Sequence, residues 1–270
     1  MKYRPISNVI DRGKGYAAPE KFLIWLSKYT EIPLVSSELR RISGWYPVAF
    51  MKADEGFSLI MPLTSCDGEN PLVNEVNGKW IGKSLPNIVK QYPYSLQPVD
   101  NGALGLCIDH NANEYITISS EHKIFDHNGE STDFQKKLIA ALSQRQKRKI
   151  ADQDIIKDLH KKELLVPWEL NLGNEGNPIF RDDLFTIDEK RLMEITQDDP
   201  SIFRNGGGNL IYGHLYSKTQ LNSPGFFLSR KKKLEARLKE DKAKNLGYID
   251  DLVFKPSDDL LDFSDFLGKT

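Results

Sequence analysis

The sequence predicts an α+β fold with a core of mostly antiparallel strands, helices packed on one face, and extended arms at both termini. Three observations favour it. The runs PVAFMKA and FSLIMPLT are rich in β-forming residues, and the DEG between them is typical of a hairpin. Residues 131–165 carry apolar side chains at helical spacing, and residues 206–221 predict a second helix. The 270 residues are 39% hydrophobic, enough for one large domain or two small ones.

The first third of the chain predicts short elements. Residues 1–16 predict an irregular arm. Residues 17–29 predict a helix, because four of their large apolar residues lie close to one helical face. EIPLV predicts a short strand, and SSELRRIS predicts a helix of one to two turns that ends at Gly44. Beyond the hairpin, Asn77-Gly78 predicts a tight turn.

The rest of the chain alternates between strand and helix patterns. ALGLCID (103–109) and EYITIS (114–119) predict strands separated by the polar loop HNAN. The long helix begins at a cap provided by Ser131 or Thr132, and its pattern leaves open a break near residues 149–154. VPWELNL and PIFRDDLFTI predict strands, and DEKRLMEI and DPSIFRN predict short helices that each start at an aspartate.

An aromatic residue followed by proline occurs twice, in WYPVAF and in QYPYSL. Proline disfavours the α conformation of the residue before it, so each pair predicts the end of a short helix and the start of a strand. The aromatic rings are then expected to anchor the short helix to the sheet. The alternative is a groove for a peptide or an extended protein segment, lined by four residues: Trp45, Tyr46, Tyr92 and Tyr94.

The charge and the hydropathy pattern argue against nucleic-acid binding, a membrane span and secretion. The formal net charge is −1, so nucleic acid is not an expected partner. No apolar run approaches the ~20 residues that a bilayer span needs, and the N-terminus lacks the apolar centre of a secretory signal. We therefore expect synthesis in the cytosol. There, Cys66 and Cys107 are expected to be buried thiols rather than a disulfide.

The strongest candidate for chemistry is a cluster of histidine and aspartate residues within 109–127, comprising Asp109, His110, His122, Asp126 and His127. Such side chains can hold a transition metal, but their spacing matches no known ligand pattern. The sequence also has no G-x-S-x-G motif, and the glycines at 206–208 lack the lysine of a P-loop. We therefore expect no catalytic residue, metal or cofactor, and a metal-dependent enzyme using this loop is the third hypothesis.

The composition changes near residue 223. Residues 229–245 carry eight basic and three acidic residues, which predicts a solvated helix. The end of the chain interleaves aspartate with apolar residues in DDLLDFSDFL. Five of these residues are candidates for docking into a partner: Leu260, Leu261, Phe263, Phe266 and Leu267. The predicted organisation is an N-terminal arm and helix (1–30), an α+β domain (31–223) and a charged C-terminal segment (224–270).

Several motifs follow one another in a characteristic order: IPLVSSEL, WYPVAFMK, PLTSCDGENPLVNEVNGKW, LPNIVKQYPYSL, LGLCIDHNAN, IFDHNGEST, LLVPWELNL and GHLYSKTQL. In order and spacing, they resemble the SapC family of bacterial proteins, named after a surface-layer gene cluster. The resemblance covers about residues 30–223. It implies a link to surface-layer export or to peptides, and it implies no catalytic mechanism. Asp109-His110-Asn111 departs from the family's fully acidic loop, which weakens a cation-binding role there.

The predicted function is therefore that of a non-catalytic, SapC-like structural or interaction protein. It would be a subunit of a larger assembly, with terminal arms that contact copies of itself or other subunits. A bacterial surface or export system and a phage particle both fit this description. The alternative is the peptide-binding module described above.

Overall fold

A computed structural model of the chain describes residues 2–19, 23–54, 56–63, 70–74, 78–80, 82–99, 102–173 and 178–219. These residues combine helices with antiparallel sheets, which confirms the α+β class. They form two compact units. Within the described residues, the first unit comprises 2–19 and 88–147, and the second comprises 23–87 and 148–219. Each unit thus combines segments that are distant in sequence, and the predicted boundary after residue 30 does not separate them.

The described part of the chain contains ten strands: β1 (Tyr3–Pro5), β2 (Gly15–Tyr16), β3 (Glu31–Pro33), β4 (Ala49–Ala53), β5 (Gly56–Pro62), β6 (Tyr94–Pro98), β7 (Leu104–Asp109), β8 (Ile116–Thr117), β9 (Leu165–Pro167) and β10 (Leu184–Ile187). Its α-helices are α1 (Leu39–Ile42), α2 (Asn87–Lys90), α3 (Asp133–Lys161), α4 (Glu189–Asp198) and α5 (Gly207–Lys218). Four 3-10 helices lie at Ile24–Lys28, Ser36–Glu38, His110–Tyr115 and Pro200–Gly206. Among these helices, none is long and apolar enough to cross a membrane.

The second unit is built on a five-stranded sheet in the order β3-β5-β4-β10-β9. Its centre is the predicted hairpin of β4 and β5, in which Phe50 lies opposite Leu59. The apolar side chains at the middle of this hairpin, including Phe50, Ile60 and Met61, have almost no exposed surface. The hairpin prediction is therefore confirmed, and the hairpin supplies the core on which the helices of this unit pack.

Helix α5 lies close to α1 in the second unit, and Gly213 allows this close approach. A Cβ atom placed on Gly213 would lie 2.7 Å from Cβ of Leu39. Leu39 is fully buried, so it has no room to move aside. On the inner face of α5, Leu210 and Ile211 have no exposed surface.

The first unit contains a three-stranded sheet in the order β1-β7-β6 and a two-stranded sheet of β2 and β8. Here the structure differs from the predicted irregular arm, because Tyr3 pairs with Asp109 in the β1–β7 ladder. The guanidinium of Arg4 donates to both carboxylate oxygens of Asp11, at 2.8 and 2.9 Å. It also donates to Asn113 at 2.7 Å. The N-terminal residues therefore belong to the folded unit and do not form a separate arm.

Two further elements differ from the prediction. Residues 110–115, predicted as a loop leading into a strand, form a 3-10 helix, and only Ile116–Thr117 is a strand. The side chain of Asp109 starts this helix by accepting a hydrogen bond from the backbone N–H of Asn111 at 3.0 Å. Only residues 24–28 of the helix predicted over 17–29 are helical among those described.

Helix α3 confirms the long helical prediction and excludes the break near residues 149–154. Its cap is Thr132, whose hydroxyl accepts a hydrogen bond from the backbone N–H of Gln135 at 3.2 Å. The predicted break lies between residues 149 and 154. Across its first residues, Arg148 and Asp152 form an ion pair at 2.8 Å. Asp152 also accepts a hydrogen bond from the backbone N–H of Ser36 at 2.6 Å. These contacts hold the helix together at that point.

The Gly213–Leu39 contact predicts the effect of Gly213→Ala. The new methyl group would force α5 away from α1, and overpacking of this kind costs about 1–3 kcal/mol. Alanine returns up to about 1 kcal/mol of helix propensity. We expect the free energy of unfolding, measured by urea denaturation, to fall by about 1–2 kcal/mol on balance.

Gly44→Ala is the matched control. A Cβ atom at Gly44 would meet nothing closer than Cε1 of Tyr216, at 3.6 Å. This variant should keep nearly the wild-type stability. Equal unfolding free energies for the wild type and Gly213→Ala would show that α5 and α1 are not in the close contact described.

Candidate functional site

A fully buried histidine joins α5 to the sheet of the second unit. Nδ1 of His214 lies 2.7 Å from the carbonyl oxygen of Val48. A carbonyl oxygen only accepts hydrogen bonds, so Nδ1 carries the hydrogen. Nε2 therefore accepts hydrogen bonds, from the Thr186 hydroxyl at 2.9 Å and from the backbone N–H of Ile187 at 3.3 Å. Both ring nitrogens are engaged in positioning the helix.

The surroundings of His214 keep its ring neutral. The imidazole lies 5.0 Å from the ring of Phe50 and 5.5 Å from the ring of Trp168, measured between centroids. Burial lowers the pKa of His214 to about 3, because a charged imidazole would lose its hydration. Ser217, one turn further along α5, accepts a hydrogen bond from the backbone N–H of Val48 at 3.0 Å. This cluster is a structural connection.

The first aromatic-proline pair separates its two rings. Tyr46 is fully buried, and its hydroxyl accepts a hydrogen bond from the backbone N–H of Ser84 at 3.3 Å. Its ring lies 6.3 Å from that of Trp80. The neighbouring Trp45 is 42% exposed. Of the two nominated docking residues, only Trp45 therefore offers surface to a partner.

The second pair lies in the first unit. Helix α2 ends at Lys90, the Tyr92–Pro93 peptide is cis, and β6 begins at Tyr94. The predicted helix-to-strand change is confirmed here. Tyr94 is 5% exposed, and its hydroxyl accepts a hydrogen bond from the backbone N–H of Tyr16 at 3.2 Å. Tyr94 is thus a core residue, and Tyr92 packs edge-on against Tyr16 with 6.3 Å between centroids.

The acidic members of the candidate metal cluster are used by the backbone. Asp109 caps the 3-10 helix that follows it, as described above. Asp126 accepts hydrogen bonds from the backbone N–H groups of Asn128 and Glu130, both at 2.8 Å. These bonds, that from Glu130 first, lower the pKa of Asp126. Both carboxylates therefore stabilise turns.

Two histidines of the same cluster, His110 and His122, also have local partners. Nδ1 of His110 lies 3.3 Å from the side-chain nitrogen of Asn113. His122 stacks on Phe134 with 5.0 Å between centroids. Within the residues that the structure describes, no three histidine, cysteine or acidic side chains come together to hold a metal ion. Cys107 is a buried free thiol, and burial raises its pKa; Cys66 lies outside the described residues.

The glycines at the start of α5 accommodate protein backbone. Gly206 has φ of +96°, which favours glycine. A Cβ atom on Gly207 would overlap the carbonyl oxygen of Ile202, and one on Gly208 would lie 3.4 Å from that of Phe203. The helix therefore packs directly on the preceding 3-10 helix, which accounts for the glycines without a phosphate ligand.

Three exposed aromatic residues lie on α5 and on the segment that follows α1 in the second unit, and we call them the aromatic face. Trp45, Tyr212 and Tyr216 are 42%, 60% and 56% exposed. The two tyrosines are four residues apart on α5, so they are neighbours on the helix surface. The ring of Phe203 stacks on that of Tyr212 with 5.4 Å between centroids and 6° between planes. Tyr216 lies against Gly44, the residue before Trp45.

One positively charged side chain, that of Lys83, contacts the aromatic face, and Arg204 is adjacent in sequence to Phe203. Nζ of Lys83 lies 5.9 Å from the centre of the Trp45 ring, a cation–π contact. Arg204, the residue after Phe203, is exposed. Neither side chain forms an ion pair within the described part of the chain. The face therefore combines large aromatic rings with Lys83, whose charge is not neutralised by an ion pair with any described residue.

Tyr212 and Tyr216 are not among the docking residues that the sequence predicts. The signal was present, because the two tyrosines lie on the side of α5 opposite to Leu210 and His214. Helical periodicity shows that the two sides differ, but it does not show which side packs on the sheet. The nominated segment from Leu260 to Leu267 lies outside the described residues.

The burial of His214 predicts how stability depends on pH. The imidazole has its ordinary pKa of about 6.5 in the unfolded chain and a pKa of about 3 in the folded protein. The unfolded chain therefore takes up a proton first as pH falls, and the folded state loses stability between about pH 6.5 and 3. We expect this residue to cost about 2 kcal/mol of unfolding free energy between pH 7.5 and pH 5.

Nitrogen NMR of the imidazole is the direct measurement. The His214 ring should remain neutral, with the hydrogen on Nδ1, at pH 5. The exposed histidines His110, His127 and His160 provide the comparison in the same spectrum. Titration of His214 near pH 6.5 would contradict the buried connection.

Three of the sequence motifs meet at this buried histidine. WYPVAF supplies Val48 and Phe50, LVPWEL supplies Trp168, and GHLYSKTQL supplies His214 and Ser217. Motifs far apart in sequence thus build one connection in the second unit.

Comparison with known proteins agrees with this pattern of motifs. No curated protein and no solved structure matches the chain. The model of one protein family, SapC, matches residues 17–223, which is most of the chain. This chain is therefore a member of the SapC family.

Proposed function

We propose that this SapC-family protein is a non-catalytic interaction subunit of a larger assembly, in a bacterial surface or export system or in a phage particle. The observation that carries the proposal is the aromatic face of Trp45, Tyr212 and Tyr216. Tryptophan and tyrosine dominate the binding energy of protein interfaces, since they bury a large area at a low cost in conformational entropy. Its partners would be copies of this chain or other subunits.

The buried hydrogen bonds that hold α5 in place favour a role in binding a partner. His214 and Ser217 fix the inner side of the helix through buried hydrogen bonds. Tyr212 and Tyr216 project from the other side of the same helix, so their backbone positions are already set before a partner binds. Such preorganisation lowers the entropic cost of association.

The side chains that could supply chemistry favour a structural role instead. Asp109 and Asp126 hold turns, His122 stacks on an aromatic ring, and His214 joins a helix to a sheet. The peptide groove is a weaker alternative, because Tyr46 and Tyr94 are core residues. Trp45, the exposed member of that set, belongs to the aromatic face.

The first test removes the aromatic rings from the face. We expect the full-length protein to form species heavier than its 30.8 kDa chain in size-exclusion chromatography with light scattering. Tyr212→Ala combined with Tyr216→Ala should shift these species to the single-chain mass, because the two largest exposed anchors of α5 are lost. Circular dichroism should show an unchanged fold.

Phe180→Ala is the matched control, since Phe180 is an equally exposed aromatic residue (60%) outside the aromatic face. Its mass distribution should equal that of the wild type. Identical distributions for all three proteins would remove the support for an interface at this face.

A second test deletes residues 224–270, which lie outside the described residues. If the C-terminal segment contacts neighbouring subunits, the deletion should abolish assembly in light scattering and co-purification. A thermal melt of the shortened chain checks that it still folds. Normal assembly of the shortened chain would exclude the segment from the interface.

A further inference from the structure

We propose that the aromatic face binds residues 258–267 of a second copy of this chain. This inference rests on the proposed function and names the partner of the same face. The segment DDLLDFSDFL contains four aspartates, no basic residue, and five apolar anchors: Leu260, Leu261, Phe263, Phe266 and Leu267.

The segment complements the aromatic face both in charge and in apolar character. The face presents the aromatic rings of Tyr212 and Tyr216, with Lys83 over the ring of Trp45 and the exposed Arg204 next in sequence to Phe203. Neither cation forms an ion pair with another described residue. Apolar anchors of the segment can pack against the rings, while its aspartates meet the cations. Segments that place apolar anchors at three- and four-residue intervals are a recurrent mode of peptide recognition. A basic or purely polar segment would match neither feature.

The length of the chain allows the contact. Helix α5, which carries the face, ends at Lys218, and residues 220–257 separate the described structure from the segment. Even with the predicted helix over residues 229–245 counted at 1.5 Å per residue, a chain of that length can extend to roughly 95 Å. The second unit, with about 120 described residues, is expected to have a radius of gyration of about 14 Å. The segment can therefore reach the face of a copy in direct contact.

The type of contact determines the assembly. The face and the segment are different parts of the chain, so each copy offers one donor and one acceptor. Such heterologous contacts join copies head to tail and produce rings or filaments. Binding of the segment to the face of its own chain would satisfy the same chemistry but would join no copies.

Titration with a peptide tests the contact between the segment and the aromatic face separately from assembly. The probe is a fluorescently labelled peptide of residues 256–270, titrated onto full-length protein whose own segment is silenced by Leu260→Ser, Phe263→Ser and Phe266→Ser. We expect saturable binding in fluorescence anisotropy, weakened at least tenfold by adding Tyr212→Ala and Tyr216→Ala. Adding Phe180→Ala should leave the affinity unchanged. No binding, or binding insensitive to the tyrosine substitutions, overturns the proposal.

Mixing two defective copies shows whether the contact joins chains. One copy carries Tyr212→Ala and Tyr216→Ala, and the other carries the silenced segment. Each alone should have the mass of a single chain. A 1:1 mixture should form a species of twice that mass and stop there, because only one intact face and one intact segment can meet. A mixture that stays monomeric overturns the proposal. A dimeric mixture beside a wild type that keeps the single-chain mass would show that the segment binds the face of its own chain, and this result also overturns the proposal.

The outcomes separate this inference from the proposed function. If the wild type assembles and the tyrosine variant does not, while the peptide fails to bind, the face has another partner and only this inference fails. If the peptide binds but neither the wild type nor the mixture exceeds the single-chain mass, the assembly function fails for copies of this chain.

Discussion

In the second unit, the position of α5 on the sheet depends on the neutral imidazole of His214. An unpaired polar group at a fully buried position would cost about 1–3 kcal/mol, so both ring nitrogens must keep their partners. They do so through Val48 at the start of the central strand and Thr186 on the neighbouring strand. The position and rotation of α5 follow from these hydrogen bonds. The imidazole therefore decides which side of the helix is buried and which side faces outward.

The aromatic face is a consequence of that constraint. With His214 directed inward, Tyr212 and Tyr216 lie on the outer side of α5, and Gly213 permits the close contact with Leu39. The aromatic-proline element completes the aromatic face, because the burial of Tyr46 leaves the neighbouring Trp45 at the surface. Family motifs thus build the inner connection, and the same short stretches of sequence supply rings to the surface.

Local patterns allowed the prediction of the β4–β5 hairpin, the long helix α3 and the helix that begins at the glycines. Each of these depends on residues close together in sequence. The pairing of Tyr3 with Asp109 and the bond between His214 and Val48 could not be predicted in this way, because each joins residues more than 100 positions apart. The sequence predicts Trp45 as a docking residue from the local aromatic-proline pattern. It does not predict Tyr212, because the exposure of Tyr212 depends on which side of α5 packs on the sheet, and distant residues determine that side.

We propose above that the aromatic face of one copy binds the acidic, apolar segment of another. The most direct measurement replaces Tyr212 with a photoreactive phenylalanine analogue in 15N-labelled protein. This protein is assembled with unlabelled wild type and irradiated, and the cross-linked peptides are identified by mass spectrometry. We expect cross-links from position 212 of the labelled chain to unlabelled peptides containing residues 258–267. Cross-links confined to the labelled chain, or to other regions of the unlabelled chain, would contradict it.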